Sequence, residues 1–318
     1  MYDCGVNILA WQATVLAIVG SPAVLLAQDA RVLPPAITVP LHSRVEVRTL
    51  PPLPAWPGEA RPIRPRLLPD PGTLQQWKEY LGQGSATVAP TPNTIGDPAP
   101  RTLLPTPRAV SVISAFEGPS NADNVALIGF AVLPPDPNIG AGPNHLFQIV
   151  NNVGRISDKT GTLVSSFTLR SFFALDPSTD EADPRVLFDA GSQRWFATYA
   201  QSNATTSSVV LAVSTSSDPT GSFCRYRLGN PTLETFVQDF PQLGVSDDKV
   251  VVAFDGFSFA GPNIGAGYYV LNKADLIGCA PSARVVRVPP DPSRFTEFPA
   301  QSLSSTSVLF LAMNNESS

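Results

Sequence analysis

From Val110 onward the apolar residues come in short runs rich in Val, Ile, Phe and Tyr. Clusters of Gly, Pro, Asn, Asp and Ser separate them, and no stretch keeps a helical period. The runs predict strands over His145–Asn151, Gly154–Ser157, Leu163–Leu169, Val186–Asp189, Arg194–Tyr199, Val209–Ser214 and Phe223–Leu228. Four more follow at Lys249–Phe254, Tyr268–Asn272, Arg284–Val288 and Ser307–Met313. Between them, Asp158-Lys159-Thr160-Gly161 and Asp218-Pro219-Thr220-Gly221 read as hairpin turns, each with Gly where φ must be positive.

The runs recur at a fixed interval. Asp183-Pro184, Asp239-Phe240-Pro241 and Glu297-Phe298-Pro299 each introduce a short strand, a turn and then a strongly apolar strand. Pro184 and Pro241 stand 57 residues apart, Pro241 and Pro299 58. An earlier unit aligns from Pro143-Asn144-His145. Four strands per unit at this interval predict an all-β fold, a β-propeller of four-stranded blades that bury their faces against one another. A β-sandwich is the alternative, but it does not require regular spacing. Three units and a fourth that reaches the C-terminus in its second strand predict an incomplete, C-terminally truncated ring, because closed propellers have roughly four to eight blades.

A family resemblance rests on particular residues. Asp136-Pro137-Asn138 with Gly140-Ala141-Gly142-Pro143-Asn144-His145, then Asp183-Pro184 through Arg194-Trp195, then Ala212-Val213-Ser214 with Asp218-Pro219-Thr220-Gly221, resemble bacterial exported propeller proteins. That group is mostly uncharacterised and is similar in architecture to sialidase-like propellers. The resemblance spans about Pro134 to Phe254 and implies fold and export, not an activity.

Ahead of the blades the texture differs. Val6 to Ala27 is almost wholly apolar and ends on a small residue, so residues 1–27 read as a signal peptide cleaved after Ala27 or as an uncleaved signal anchor. The segment before Val6 has no Lys or Arg, unlike an ordinary leader. Half of the 34 prolines fall between Arg31 and Arg108. Each fixes φ and removes a donor, so residues 28–109 read as an extended, disordered linker. One short amphipathic helix is predicted at Gly72–Leu81, where Leu74, Trp77 and Leu81 have helical spacing. The folded domain is then 110–318, secreted or held at the cell surface, with membrane contact only through the N-terminal segment.

Charge and composition narrow the function. The 318 residues carry 21 Lys and Arg against 26 Asp and Glu, a net charge of −5, which argues against a nucleic-acid partner. Pro137–Gly142 and Pro262–Gly267 both read PNIGAG, yet strand-forming residues follow rather than a helix, so nucleotide binding is not expected. His42 and His145 are the only histidines, and no Gly-x-Ser-x-Gly elbow accompanies them. Cys4 lies in the targeting segment, leaving Cys224 and Cys279 as a candidate disulfide or as two buried thiols.

The acidic residues that open the units, Asp136, Asp183, Asp239 and Glu297, precede the strand nearest a propeller axis. They can form a partial ring, either a Ca²⁺ site built on Asp136, Asp183 and Asp239 or paired glycosidase carboxylates. The plain reading is that Asp-Pro and Asp-x-Pro form turns. Asn138, and Phe257 and Phe259 in the Gly-rich stretch Asp255–Gly267, are the further ligand-contact candidates; Trp195, Tyr199 and Phe254 read as core. Two functions follow: a non-catalytic module binding extracellular carbohydrate or protein, with no catalytic residues, or a sialidase-like propeller glycoside hydrolase. Convergence of Asp136, Asp183, Asp239 and an Arg on one cavity favours the second.

Overall fold

The computed structural model describes residues 34–53, 63–65, 115–129, 131–229 and 235–313. The leader at 1–27 and the helix expected at Gly72–Leu81 lie outside them. Strand β1 (Ile37–Glu46) and the short parallel pair β2 (Ile63–Pro65) and β3 (Ala131–Leu133) come first. Three antiparallel four-stranded meanders follow. Blade 1 is β4 (Asn138–Ala141), β5 (His145–Val150), β6 (Val153–Asp158) and β7 (Leu163–Thr168). Blade 2 is β8 (Asp180–Asp189), β9 (Arg194–Ser202), β10 (Ser207–Ser214) and β11 (Ser222–Leu228). Blade 3 is β12 (Phe236–Val245), β13 (Lys249–Ser258), β14 (Asn263–Asn272) and β15 (Ser282–Asp291). A two-stranded sheet, β16 (Glu297–Pro299) with β17 (Leu311–Met313), completes the described residues.

Alternation along the strands fixes how the blades stack. In blade 2, Trp195, Ala197, Tyr199, Val210 and Ala212 pack against Phe147, Phe167 and Phe172 on the blade 1 side. The intervening Phe196, Val209, Leu211 and Val213 pack against Val250, Val252 and Phe254 of blade 3. The other face of blade 3, Val251, Ala253, Tyr268 and Val270, covers Leu309. Successive side chains on a strand point to opposite faces, so Val209–Val213 of β10 and Val250–Phe254 of β13 are apolar without a break because both faces are covered. Blades 2 and 3 thus each lie between two cores, and β4, β8, β12 and β16 run side by side as the innermost strands. This is the radial stacking of a β-propeller. Gly142 sits where any Cβ would enter the Trp195 indole, so the turn after β4 can close over that ring.

β1 departs from the linker expected for residues 28–109. Its first half, Ile37–Pro40, pairs with β15 and its second half, Leu41–Glu46, with β11. Val39 enters the core between blades 2 and 3, and Val45 the core between blades 1 and 2. Pro40 argues against a central strand, but each half of β1 has a ladder on one side only, so the missing N–H breaks no bond. Two further ties join the same blades. Cys224 on β11 and Cys279 ahead of β15 are disulfide-bonded, with Cα atoms 5.8 Å apart. Lys273 Nζ lies 2.6 Å from Asp189 Oδ2 with both side chains buried, and also donates to the Ser246 carbonyl at 2.6 Å.

Smaller differences have local causes. Asn121–Ile128 is a helix inside the region read as all strand. Ser120 and Asp123 form its capping box, and Gly129 ends it at φ 86°. The expected strand Ser307–Met313 is regular only over Leu311–Met313. Gly161 has the positive φ expected of it, 92°, whereas Gly221 does not. The second turn is shaped instead by Asp218 Oδ1, which accepts from the Thr220 amide and hydroxyl.

Candidate active site at the channel mouth

The innermost strands share a backbone device. Asp136, Asp183 and Phe240 have φ of 44°, 55° and 50°, and each directly precedes a proline, Pro137, Pro184 or Pro241. Left-handed backbone costs a non-glycine residue about 1–3 kcal/mol, and a following proline restricts it further. In β8 and β12 the distortion is a register shift, between Ala182 and Arg185 and between Asp239 and Gln242. Such bulges re-aim side chains at sheet rims. Thr296, just before β16, repeats the left-handed backbone at φ 48°.

Beyond these bulges all four innermost strands line one cavity of about 680 Å³. Asn138–Ala141, Arg185–Phe188, Gln242, Leu243, Phe298, Pro299 and Gln301 form its wall. The strands are cross-linked there. Asn138 Oδ1 accepts from the Val186 amide at 2.8 Å, and Gln301 Nε2 donates to the Phe188 carbonyl at 2.8 Å. The Arg185 guanidinium lies 5.0 Å from the centre of the Phe240 ring, and Phe240 meets Phe298 edge-on at 6.2 Å.

Carboxyls gather at the end of the channel where the innermost strands begin. Asp255 on β13 stands opposite Asp239 on β12. It is 4% exposed and accepts from both the amide and the hydroxyl of Thr296 at 2.7 Å. Burial pushes its carboxyl above the usual range; the Thr296 hydrogen bonds oppose this and the charge of Asp183 adds to it. Glu297, 5% exposed, is likewise raised by burial, against the pull of Arg294 at 3.0 Å and with repulsion from Asp255 and Asp291. Its Oε2 has no hydrogen-bond partner among the described residues. Arg185 is pulled below its ordinary value by burial and partly restored by Asp183 and Asp136. Asp183 is itself buried.

The structure therefore brings Asp136, Asp183 and Arg185 into one electrostatic neighbourhood, continued through Asp255 to Glu297. Asp239 joins it by its register with Asp255. Among the described residues no group of three or more carboxylate, His or Cys side chains is assembled to hold a metal ion. Asn138 is engaged with the Val186 amide. Phe257 and Phe259 are half-buried on the β13–β14 hairpin past Asp255, at the same end of blade 3. The stretch Asp255–Gly267 is not a long loop: strands occupy all but Phe259–Pro262. Gly265, at φ 105°, lies against the Asp291 backbone, so its role is close packing and not looseness. Sequence reasoning missed Asp255, Thr296 and Arg294. The one available signal for Asp255 was its place across a hairpin from Asp239. His145 is a half-buried residue at the start of β5, at the other end of the channel.

No protein-family model matches the chain, and no curated protein sequence does. Among solved structures the chain is similar to the native Bacillus subtilis arabinanase Arb43A, at 15% identity and a TM-score of 0.32 over 44% of this chain and 52% of that one. It is also similar to the GH43 endo-arabinanase from Bacillus licheniformis, at 15% identity and a TM-score of 0.33 over 56% and 65%. The match thus spans under two thirds of either enzyme's length, and likeness at this level assigns no activity.

Proposed function

We propose that the protein is an exported, propeller-type glycoside hydrolase that acts at the carboxylate-bearing end of its channel. The observation that carries this reading is the convergence of carboxyls from different blades. Asp183 of blade 2 acts on Asp255 of blade 3, Asp255 acts on Glu297, and burial holds the last two above the usual range. Glycoside hydrolysis needs one carboxyl that keeps its proton beside one that does not. Glu297 is assigned as proton donor, because its Oε2 has no hydrogen-bond partner among the described residues and burial favours the neutral form. Asp183 is assigned as the base. The bond from the anomeric carbon to the leaving oxygen breaks as that oxygen takes the Glu297 proton. The oxygen of a water molecule bonds to the anomeric carbon, and its proton passes to Asp183. Asp255 is a positioning residue: it holds the left-handed Thr296 and hence its neighbour Glu297. The Cys224–Cys279 bond supports export, since such bonds persist in oxidising compartments.

A non-catalytic binding module is the second reading, favoured by the double engagement of Asp255 with Thr296 and by the Arg294–Glu297 pair. The test is release of reducing ends from a panel of soluble polysaccharides at mildly acidic pH. Wild type is expected to release them, with E297Q and D183N down about 10²-fold or more while still retaining glycan. Retention without release by wild type selects the binding module; neither retention nor release overturns both.

A further inference from the structure

Among the described residues that line the cavity, Arg185 is the one that carries a charge. It is half-buried; its Nε is buried with no hydrogen-bond partner among the described residues, and no ion pair joins it to them. Every other arginine of the blade 2 strands has such a bond: Arg194 to the Ser192 and Gln193 carbonyls, Arg225 to Ser171, Phe172 and Arg44, Arg227 to His42. A guanidinium out of water is costly to leave without acceptors. Here it lies 5.0 Å from the centre of an aromatic ring, Phe240, a cation–π contact that orders the fork without using its donors. The rest of the wall is neutral, with amides from Asn138, Gln242 and Gln301 and the 47% exposed ring of Phe298. Asp136 lies just before β4 and Asp183 in the β8 bulge, and neither lines the cavity, while Arg185 opens the wall beyond that bulge.

We propose that Arg185 receives the carboxylate of an acidic sugar, so that the channel takes a uronic-acid-containing glycan with a sugar face against Phe298. The inference rests on the carbohydrate reading of the channel. A planar carboxylate matches the guanidinium fork with two parallel hydrogen bonds, and it supplies the acceptors that Arg185 lacks. An apolar sugar face fits the exposed ring beside it.

The test is calorimetric titration of the full chain with tri-galacturonic acid and with its neutral counterpart, α-1,4-galactotriose, at low salt, with reducing-end release followed in parallel. The acidic trimer is expected to bind at least tenfold more tightly. R185Q is expected to bring it down to the neutral level, and R185K, which keeps charge but loses the fork, to fall between. R185K serves alone if R185Q does not fold. Equal affinity for the two trimers, an acid preference that survives R185Q, or binding of neither trimer overturns the assignment. Acid preference without bond cleavage leaves it standing and removes the hydrolase instead.

Discussion

Reducing the bond between Cys224 and Cys279 probes how blades 2 and 3, which carry Asp183 and Asp255, are held together. The cysteines are 55 residues apart and close a loop through β12, β13 and β14. Chain entropy assigns to such a loop about 14 cal/mol/K, or about 4 kcal/mol at 25 °C, mainly by restricting the unfolded chain. Cys224 is fully buried in the core between the two blades, so C224A/C279A also loses a little packing and serves as an upper comparison. Urea unfolding followed by tryptophan fluorescence, with and without a thiol reductant, reads the difference. With a slope of about 3 kcal/mol/M the midpoint falls by about 1.3 M on reduction. A shift worth less than about 1 kcal/mol refutes the reasoning, and means that β1 and the Lys273–Asp189 pair keep the two blades in register even in the denatured ensemble.

Two further perturbations address buried charge. K273M strands Asp189, which Lys273 and Ser192 now hold below the usual carboxylate range despite burial; it is expected to cost about 3–5 kcal/mol in chemical denaturation, and a loss under 1 kcal/mol rejects the pair as a tie between blades. D255N keeps an acceptor for Thr296 but removes a carboxyl that burial, and then Asp183, raise. Because the folded state holds that proton more tightly than the unfolded chain does, the contribution of Asp255 is full below the ordinary carboxylate range and is lost as pH rises through the raised value. The melting temperature of D255N relative to wild type should therefore climb as pH rises above the ordinary carboxylate range, and a flat difference rejects the shift.

Much of the scaffold was legible because period-2 alternation and proline punctuation survive in each unit. Pro184, Pro241 and Pro299 mark three of the four innermost strands, and runs such as Lys249–Phe254 can be apolar on both faces only between two sheets. β1 was hidden by Pro34, Pro35 and Pro40, since nothing local reveals a strand split between two partners. Asp255–Gly267 looked like a loop because glycine signals both freedom and close approach, and only the packing of Gly265 against Asp291 separates the two. At the site, the acidic residues opening the units were readable. The environment of Asp255 was not: burial and the Thr296 bonds come from a segment 41 residues away, and electrostatics of that kind is a property of the assembled mouth.

The split pairing of β1 also orders events in time. Its partners, Ser222–Tyr226 and Ser282–Val285, are made long after it. During synthesis, Leu41–Glu46 must wait without a ladder until β11 has emerged, and Ile37–Pro40 until β15 has. The first of the described strands to be made is thus seated in two steps, and its docking is complete only once blades 2 and 3 both exist.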